Sequence, residues 1–186
     1  MKHCILGIDP GVAKIGLAVV SGSSRTATDF LWAGVAKGKT NLRTIRSLWF
    51  ELAHIKVHYG TKITGIVIEG QEYYLTDQER KSKPEDLIKV AFMAGAAAGI
   101  CTNAFGSEDL PIKCPLPKEW KGNVPKHIKQ ERILKELNIP VLKHVGRGGK
   151  FPVPKPTMMV RNNVTDSCWY DILDAAGLAL WGLEEL

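Results

Sequence analysis

Cys4-Ile5-Leu6-Gly7-Ile8-Asp9-Pro10-Gly11 is the stretch from which the rest of the chain is best read. Cys4 to Ile8 is apolar enough for a buried strand, the run ends on a carboxylate, and Pro10-Gly11 is a turn pair. Gly16-Leu17-Ala18-Val19-Val20 follows as a second apolar strand, so the two are expected to form a hairpin. An acid delivered this way to the edge of a sheet is accessible to a ligand or a metal. Taken alone, Asp-Pro-Gly is explained as well by turn chemistry, because all three residues are favoured in turns for local reasons. The role of Asp9 has to be decided by the rest of the chain.

The 186 residues suit one domain, 1–186, with a real core. An apolar content of 45% and a charged content of 24% are those of an ordinary globular protein. No signal-peptide pattern follows Met1-Lys2-His3, and no run reads as long enough to span a membrane. Cys4, Cys101, Cys114 and Cys168 form no Cys-x-x-Cys pair. This argues against a zinc knuckle and for reduced thiols in a cytoplasmic setting, with Cys4 and Cys168 as small core residues.

Charge is unevenly distributed. The chain carries +6 overall, but the segment 113–161 alone carries +9, which leaves the remainder at −3. A basic segment beside an acid-bearing body suits an enzyme acting on a polyanion.

Phe30 to Val35 reads as a third strand. Thr40 or Asn41 caps a helix to about His58, with Leu42, Ile45, Leu48, Trp49, Leu52 and Ile55 on one apolar face that packs on the sheet. Ile63 to Glu69 is another buried strand, and it too ends on a carboxylate. An unpaired acid at a buried edge costs several kcal/mol unless a cation neutralises it. Two such acids shift the balance toward function.

Pro84-Glu85-Asp86 opens a helix whose Ala/Gly-rich second half suggests close packing against another element, as core or as an interface. Leu110 to Cys114 is a short last strand. Pro117 to Gly122 reads as a turn or a single helical turn, and Pro125 opens a helix to about Leu137. That helix interleaves Lys126, Lys129, Arg132 and Lys135 with apolar residues. Few acids are available to pair with these bases, which favours phosphate contact over a merely solvated face. Val141 to Asn163 is Gly/Pro-rich and basic, and reads as a flexible loop ordered by nucleic acid, with no phosphate-binding motif.

From Asp166 to Leu183 the pattern is that of a largely buried helix. Asp166 suits an N-cap or first-turn role. Asp171 and Asp174 share one face, with no Lys or Arg three or four residues away to pair with them, so they need a cation from outside the helix. Asp9, Glu69, Asp171 and Asp174 thus make four carboxylates in apolar settings. All-oxygen ligation suits Mg²⁺ or Mn²⁺. Four acids can hold two such ions about 4 Å apart, the arrangement that hydrolyses phosphodiesters.

Ile8-Asp9-Pro10-Gly11 with Gly16, Ile66-Val67-Ile68-Glu69, Gly95-Ala96-Ala97-Ala98-Gly99 and Asp171-x-x-Asp174-Ala175-Ala176 together resemble the RuvC-type Holliday junction resolvases of the RNase H-like superfamily. The resemblance implies an α/β fold, a mixed five-stranded sheet flanked by helices, and a homodimer that cuts four-way DNA junctions. It implies that Asp9, Glu69, Asp171 and Asp174 are the catalytic acids that bind two metal ions. It also implies DNA contacts from Lys118, Lys121, Lys126, Lys129 and Arg132, and from Tyr73 or Tyr74 at the junction centre. Trp120-Lys121-Gly122-Asn123-Val124-Pro125-Lys126 replaces the usual Gly-rich stretch, and the tyrosines are offset from the usual aromatic. Both departures suggest a divergent member, such as those carried by phages.

Three other readings stay open at this point. One is an RNase H-like nuclease for RNA:DNA hybrids or flaps, or a transposase-like strand transferase. Another is a sugar-kinase or actin-like ATPase, whose first phosphate loop also opens with Asp-x-Gly, although no second copy of such a domain is present. The third is a non-catalytic module that binds branched DNA.

Overall fold

The computed structural model describes residues 2–25, 27–71, 84–106, 110–139, 159–160 and 168–186. Tyr73, Tyr74, Asp166 and most of the 141–163 loop fall outside these residues, so the readings placed on them lie outside as well.

β1 (His3–Pro10), β2 (Lys14–Ser24) and β3 (Ala27–Lys37) form an antiparallel meander. α1 (Asn41–Tyr59) then crosses to β4 (Gly65–Ile68), which pairs parallel to β1. α2 (Pro84–Phe105) crosses to the two-residue β5 (Ile112–Lys113), parallel to β4. α3 (Pro117–Lys121) and α4 (Lys126–Glu136) follow, then β6 (Met159–Val160) and α5 (Trp169–Glu185). The order β5-β4-β1-β2-β3 is the expected mixed five-stranded sheet, and β6 adds a short sixth strand beside Trp32–Ala33 of β3. That pair of residues corrects the reading of Val141 to Asn163 as a loop throughout: the open backbone edge of β3 supplies partners that local sequence does not reveal.

β1 is central and covered on both faces, which accounts for its unbroken apolar run. Ile5 and Val67 face a layer made by α5 with α3 and α4. Leu6, Ile8, Ile66 and Ile68 face the layer of α1 and α2. The hairpin forms as expected, but its turn comes later than the Pro-Gly pair suggests. Asp9 and Pro10 remain in β1, paired with Gly16 and Ile15. Proline is tolerated there because β4 has already ended opposite Ile8, so no ladder partner on that side loses a donor.

Thr40 caps α1, its hydroxyl accepting from the Arg43 N–H at 3.3 Å. Leu48, Leu52 and Ile55 are buried against the sheet as expected. Leu42 and Trp49, assigned to the same face, are 76% and 54% exposed. The apolar set of α1 is wider than the strip the sheet can cover. α2 is a further correction: it is 22 residues long, reaches a mean hydropathy of 1.5, and is therefore long and apolar enough by length and composition to cross a membrane. Only Met93, Ala97 and Cys101 are buried in it, and Gly95 and Gly99 face open space rather than a close neighbour. The helix runs on to Phe105, with no breaker before Gly106.

Candidate active site

Side chains alternate along a strand, so Asp9 shares the face of Ile5 and Gly7, and Glu69 shares that of Val67. Both faces look toward α5. The two acids are held next to each other: Ile8 pairs with Ile68, and the Glu69 N–H donates to the Ile8 carbonyl at 3.0 Å.

α5 reaches the same end of the sheet because two glycines let its backbone lie against the strands. A Cβ at Gly7 would stand 1.9 Å from the Ala175 carbonyl oxygen, and one at Gly16 2.1 Å from that of Asp171. Gly16 is the residue opposite Asp9, so this crossing sets the first turn of α5 directly beside it. Asp174, Glu69 and Asp171 all lie near enough to Asp9 for their charges to act on its carboxyl.

Burial pushes the Asp9 carboxyl well above the usual carboxylate range, and Asp174, Glu69 and Asp171 push it further while Lys126 partly offsets them. Asp171 is also raised, first by burial and then by Asp174, against the opposing pull of Lys14 and Lys126. Such mutual repulsion is expected of acids gathered before a cation is added.

Two predicted DNA-contacting lysines lie in this site. Lys126 Nζ is 2.5 Å from Asp174 Oδ2, and Lys121 Nζ is 2.9 Å from Glu69 Oε1. Burial tends to lower the Lys126 pKa, but Asp174, Asp9 and Asp171 outweigh it and the net shift is upward. Lys129 donates to the Trp120 carbonyl at 3.1 Å, while Lys118 and Arg132 are exposed on the same segment.

Two residues that sequence reasoning missed complete the site. The Trp120 indole N–H donates to Glu69 Oε1 at 3.0 Å. The Gln130 amide donates to Asp174 Oδ1 at 3.0 Å and to the Tyr170 carbonyl at 3.2 Å. Their only local signal is a tryptophan amid charges and a glutamine on the inner face of α4.

The donor set is all carboxylate, which fits a hard divalent ion. Among the described residues, no three His, Cys, Asp or Glu side chains stand at metal-ligand spacing. The ammonium groups of Lys121 and Lys126 hold Glu69 and Asp174 instead.

No protein-family model matches the chain, and no curated protein matches it in sequence. Among solved structures, RuvC of Thermus thermophilus matches with a TM-score of 0.61 at 18% identity, over 97% of this chain and 92% of that one. The T. thermophilus RuvC complex with a Holliday junction substrate matches with a TM-score of 0.57 at 16% identity, over 96% and 90%. At these identities the likeness speaks for the fold, and the chain has the RuvC-type, RNase H-like fold along nearly its whole length.

Proposed function

We propose that this chain is a metal-dependent endonuclease that resolves four-way DNA junctions by phosphodiester hydrolysis, working as a homodimer. The observation that carries this is the convergence of Asp9, Glu69, Asp171 and Asp174 at one sheet end of a RuvC-type fold, beneath a basic segment. A solved structure of the same fold holds a Holliday junction substrate, which supports branched DNA as the substrate class.

Asp9, Glu69, Asp171 and Asp174 would hold the cations, Mg²⁺ or Mn²⁺, two per site. When bound, such ions supply an activated water and stabilise the leaving 3′ oxygen. Lys118 and Arg132, exposed on α3 and α4, bind backbone phosphates and set the register of the DNA. Lys121 and Lys126 neutralise Glu69 and Asp174, and a cation held by these acids would free the two ammonium groups for phosphate contact.

The homodimer reading draws support from the outer apolar surface. Ile88 and Phe92 of α2 are 71% and 54% exposed, and an apolar groove between α1 and α2 is lined by Ile45, Trp49, Ala96, Gly99, Ile100 and Asn103. A second copy of the chain would cover this face and place two sites for paired nicks.

Cleavage assays with Mg²⁺ on a four-way junction, a flap, a linear duplex and an RNA:DNA hybrid test the proposal. Junction-selective paired nicks are expected. Equal rates on all four would remove the resolvase reading and leave a general RNase H-like nuclease. The ion pairs of Lys121 and Lys126 favour one second reading, a branched-DNA binding module whose acids are permanently neutralised. It predicts junction binding with no cleavage in any divalent metal.

A further inference from the structure

We infer that Trp120 and Gln130 are positioning residues that fix the orientations of Glu69 and Asp174 for cation binding. The inference rests on the proposal above that these acids hold the metal.

Trp120 is 3% exposed and Gln130 is fully buried, although both come from the segment read as a DNA-binding surface. The Trp120 ring packs against α5 at Gly177, and the ammonium groups of Lys121 and Lys129 lie 5.2 and 5.7 Å from its centre. A ring held on these sides keeps its N–H on Glu69 Oε1. Packing alone does not require tryptophan, since phenylalanine supplies a face without the N–H.

Gln130 gives the stronger argument. Its Nε2 donates to two acceptors, a carboxylate oxygen and a carbonyl, so the amide has one sensible orientation. That orientation leaves Oε1 buried and with no hydrogen-bond partner among the described residues. Leucine or methionine would fill the same volume without burying an unsatisfied acceptor. The two N–H bonds are what glutamine adds, and one of them holds Asp174.

The division of labour follows from charge. Each carboxylate receives one neutral N–H donor and one ammonium, all from α3 and α4. An arriving cation competes with the ammonium groups for negative charge, but the neutral donors can stay. Trp120 and Gln130 therefore keep Glu69 and Asp174 aimed while Lys121 and Lys126 leave. Neutral donors of this kind orient ligating carboxylates in metal sites generally.

The test is calorimetric titration with Mn²⁺ alone, together with junction binding in EDTA and cleavage kinetics, on Trp120→Phe and Gln130→Met. Each variant should bind Mn²⁺ about tenfold or more weakly, with junction binding in EDTA changed by less than about twofold. Added Mn²⁺ should restore much of the lost cleavage. Gln130→Met keeps the buried volume, so it carries the test even where Trp120→Phe loosens the packing at Gly177. Mn²⁺ affinity of Gln130→Met within about twofold of wild type would overturn the inference alone. A wild-type protein that neither binds Mn²⁺ nor cleaves would overturn the functional proposal and this inference together.

Discussion

Lys126 Nζ sits 2.5 Å from Asp174 Oδ2, an ion pair that ties α4 to α5 above the end of β1. Asp174 is 7% exposed, whereas the Lys126 side chain is largely in solvent. Removing the lysine therefore leaves a buried carboxylate beside three others. Lys126→Met should lower stability by about 1 to 2 kcal/mol in EDTA, less than for a fully buried pair because water reaches the ammonium. Mg²⁺ should restore much of the loss. Urea denaturation with and without Mg²⁺ checks both.

Asp9→Asn should abolish Mg²⁺-dependent cleavage while junction binding survives. A variant that cuts normally would show that the site has been placed wrongly.

The same substitution has a pH signature. The Asp9 carboxyl is raised well above its ordinary value of 3.8 in the folded protein, so the unfolded chain gives up this proton more readily than the folded one. Folding stability from this group is greatest below about pH 4 and is lost as pH rises toward the folded value. Asp9→Asn removes that loss. Its stability advantage over wild type should grow from pH 4 upward and then level off, which urea midpoints between pH 4 and 8 in EDTA would measure.

Gly7 and Gly16 let α5 touch the sheet, with no room for a methyl group at either. Gly16→Ala should cost about 3 kcal/mol, since the obstacle is helix backbone and not a side chain that can turn aside. The variant should also lose cleavage beyond what its stability explains, because Asp171 is carried on the displaced turn. Denaturation midpoints and activity at a temperature where the variant is fully folded separate the two effects.

Lys118, Lys126 and Arg132 of α3 and α4 are exposed cations assigned to DNA, and of these Lys126 is tied to Asp174; Lys118 and Arg132 therefore make the cleaner test. Neutralising both should weaken junction binding and reduce the salt slope by roughly 0.9 per lost phosphate contact. Fluorescence anisotropy across a range of salt concentrations reads this directly, and an unchanged slope would return them to solvated surface.

The proposed homodimer should dissociate on Ile88→Asp with Phe92→Asp, read by sedimentation analysis, with nicked rather than resolved junctions as product. Both side chains are exposed, so the monomer fold should be retained.

Strand and helix periods made the acids legible from the sequence. Alternation in β1 and β4 is a two-residue property, and the three-residue step from Asp171 to Asp174 is a one-turn property of a helix. Each could be read locally, as could the Thr40 cap and the β1–β2 hairpin. The chain by itself thus determined β1 to β5, the helices and the four carboxylates they present. Tertiary structure alone decided what surrounds those carboxylates. Trp120 meets Glu69 across 51 residues of sequence and Gln130 meets Asp174 across 44, separations over which no local pattern constrains a partner. The same is true of the crossing of α5 at Gly7 and Gly16, of β6 on the edge of β3, and of the apolar face left open on α2. The physical reason is that periodicity states which face of an element is apolar, while long-range packing chooses what that face meets.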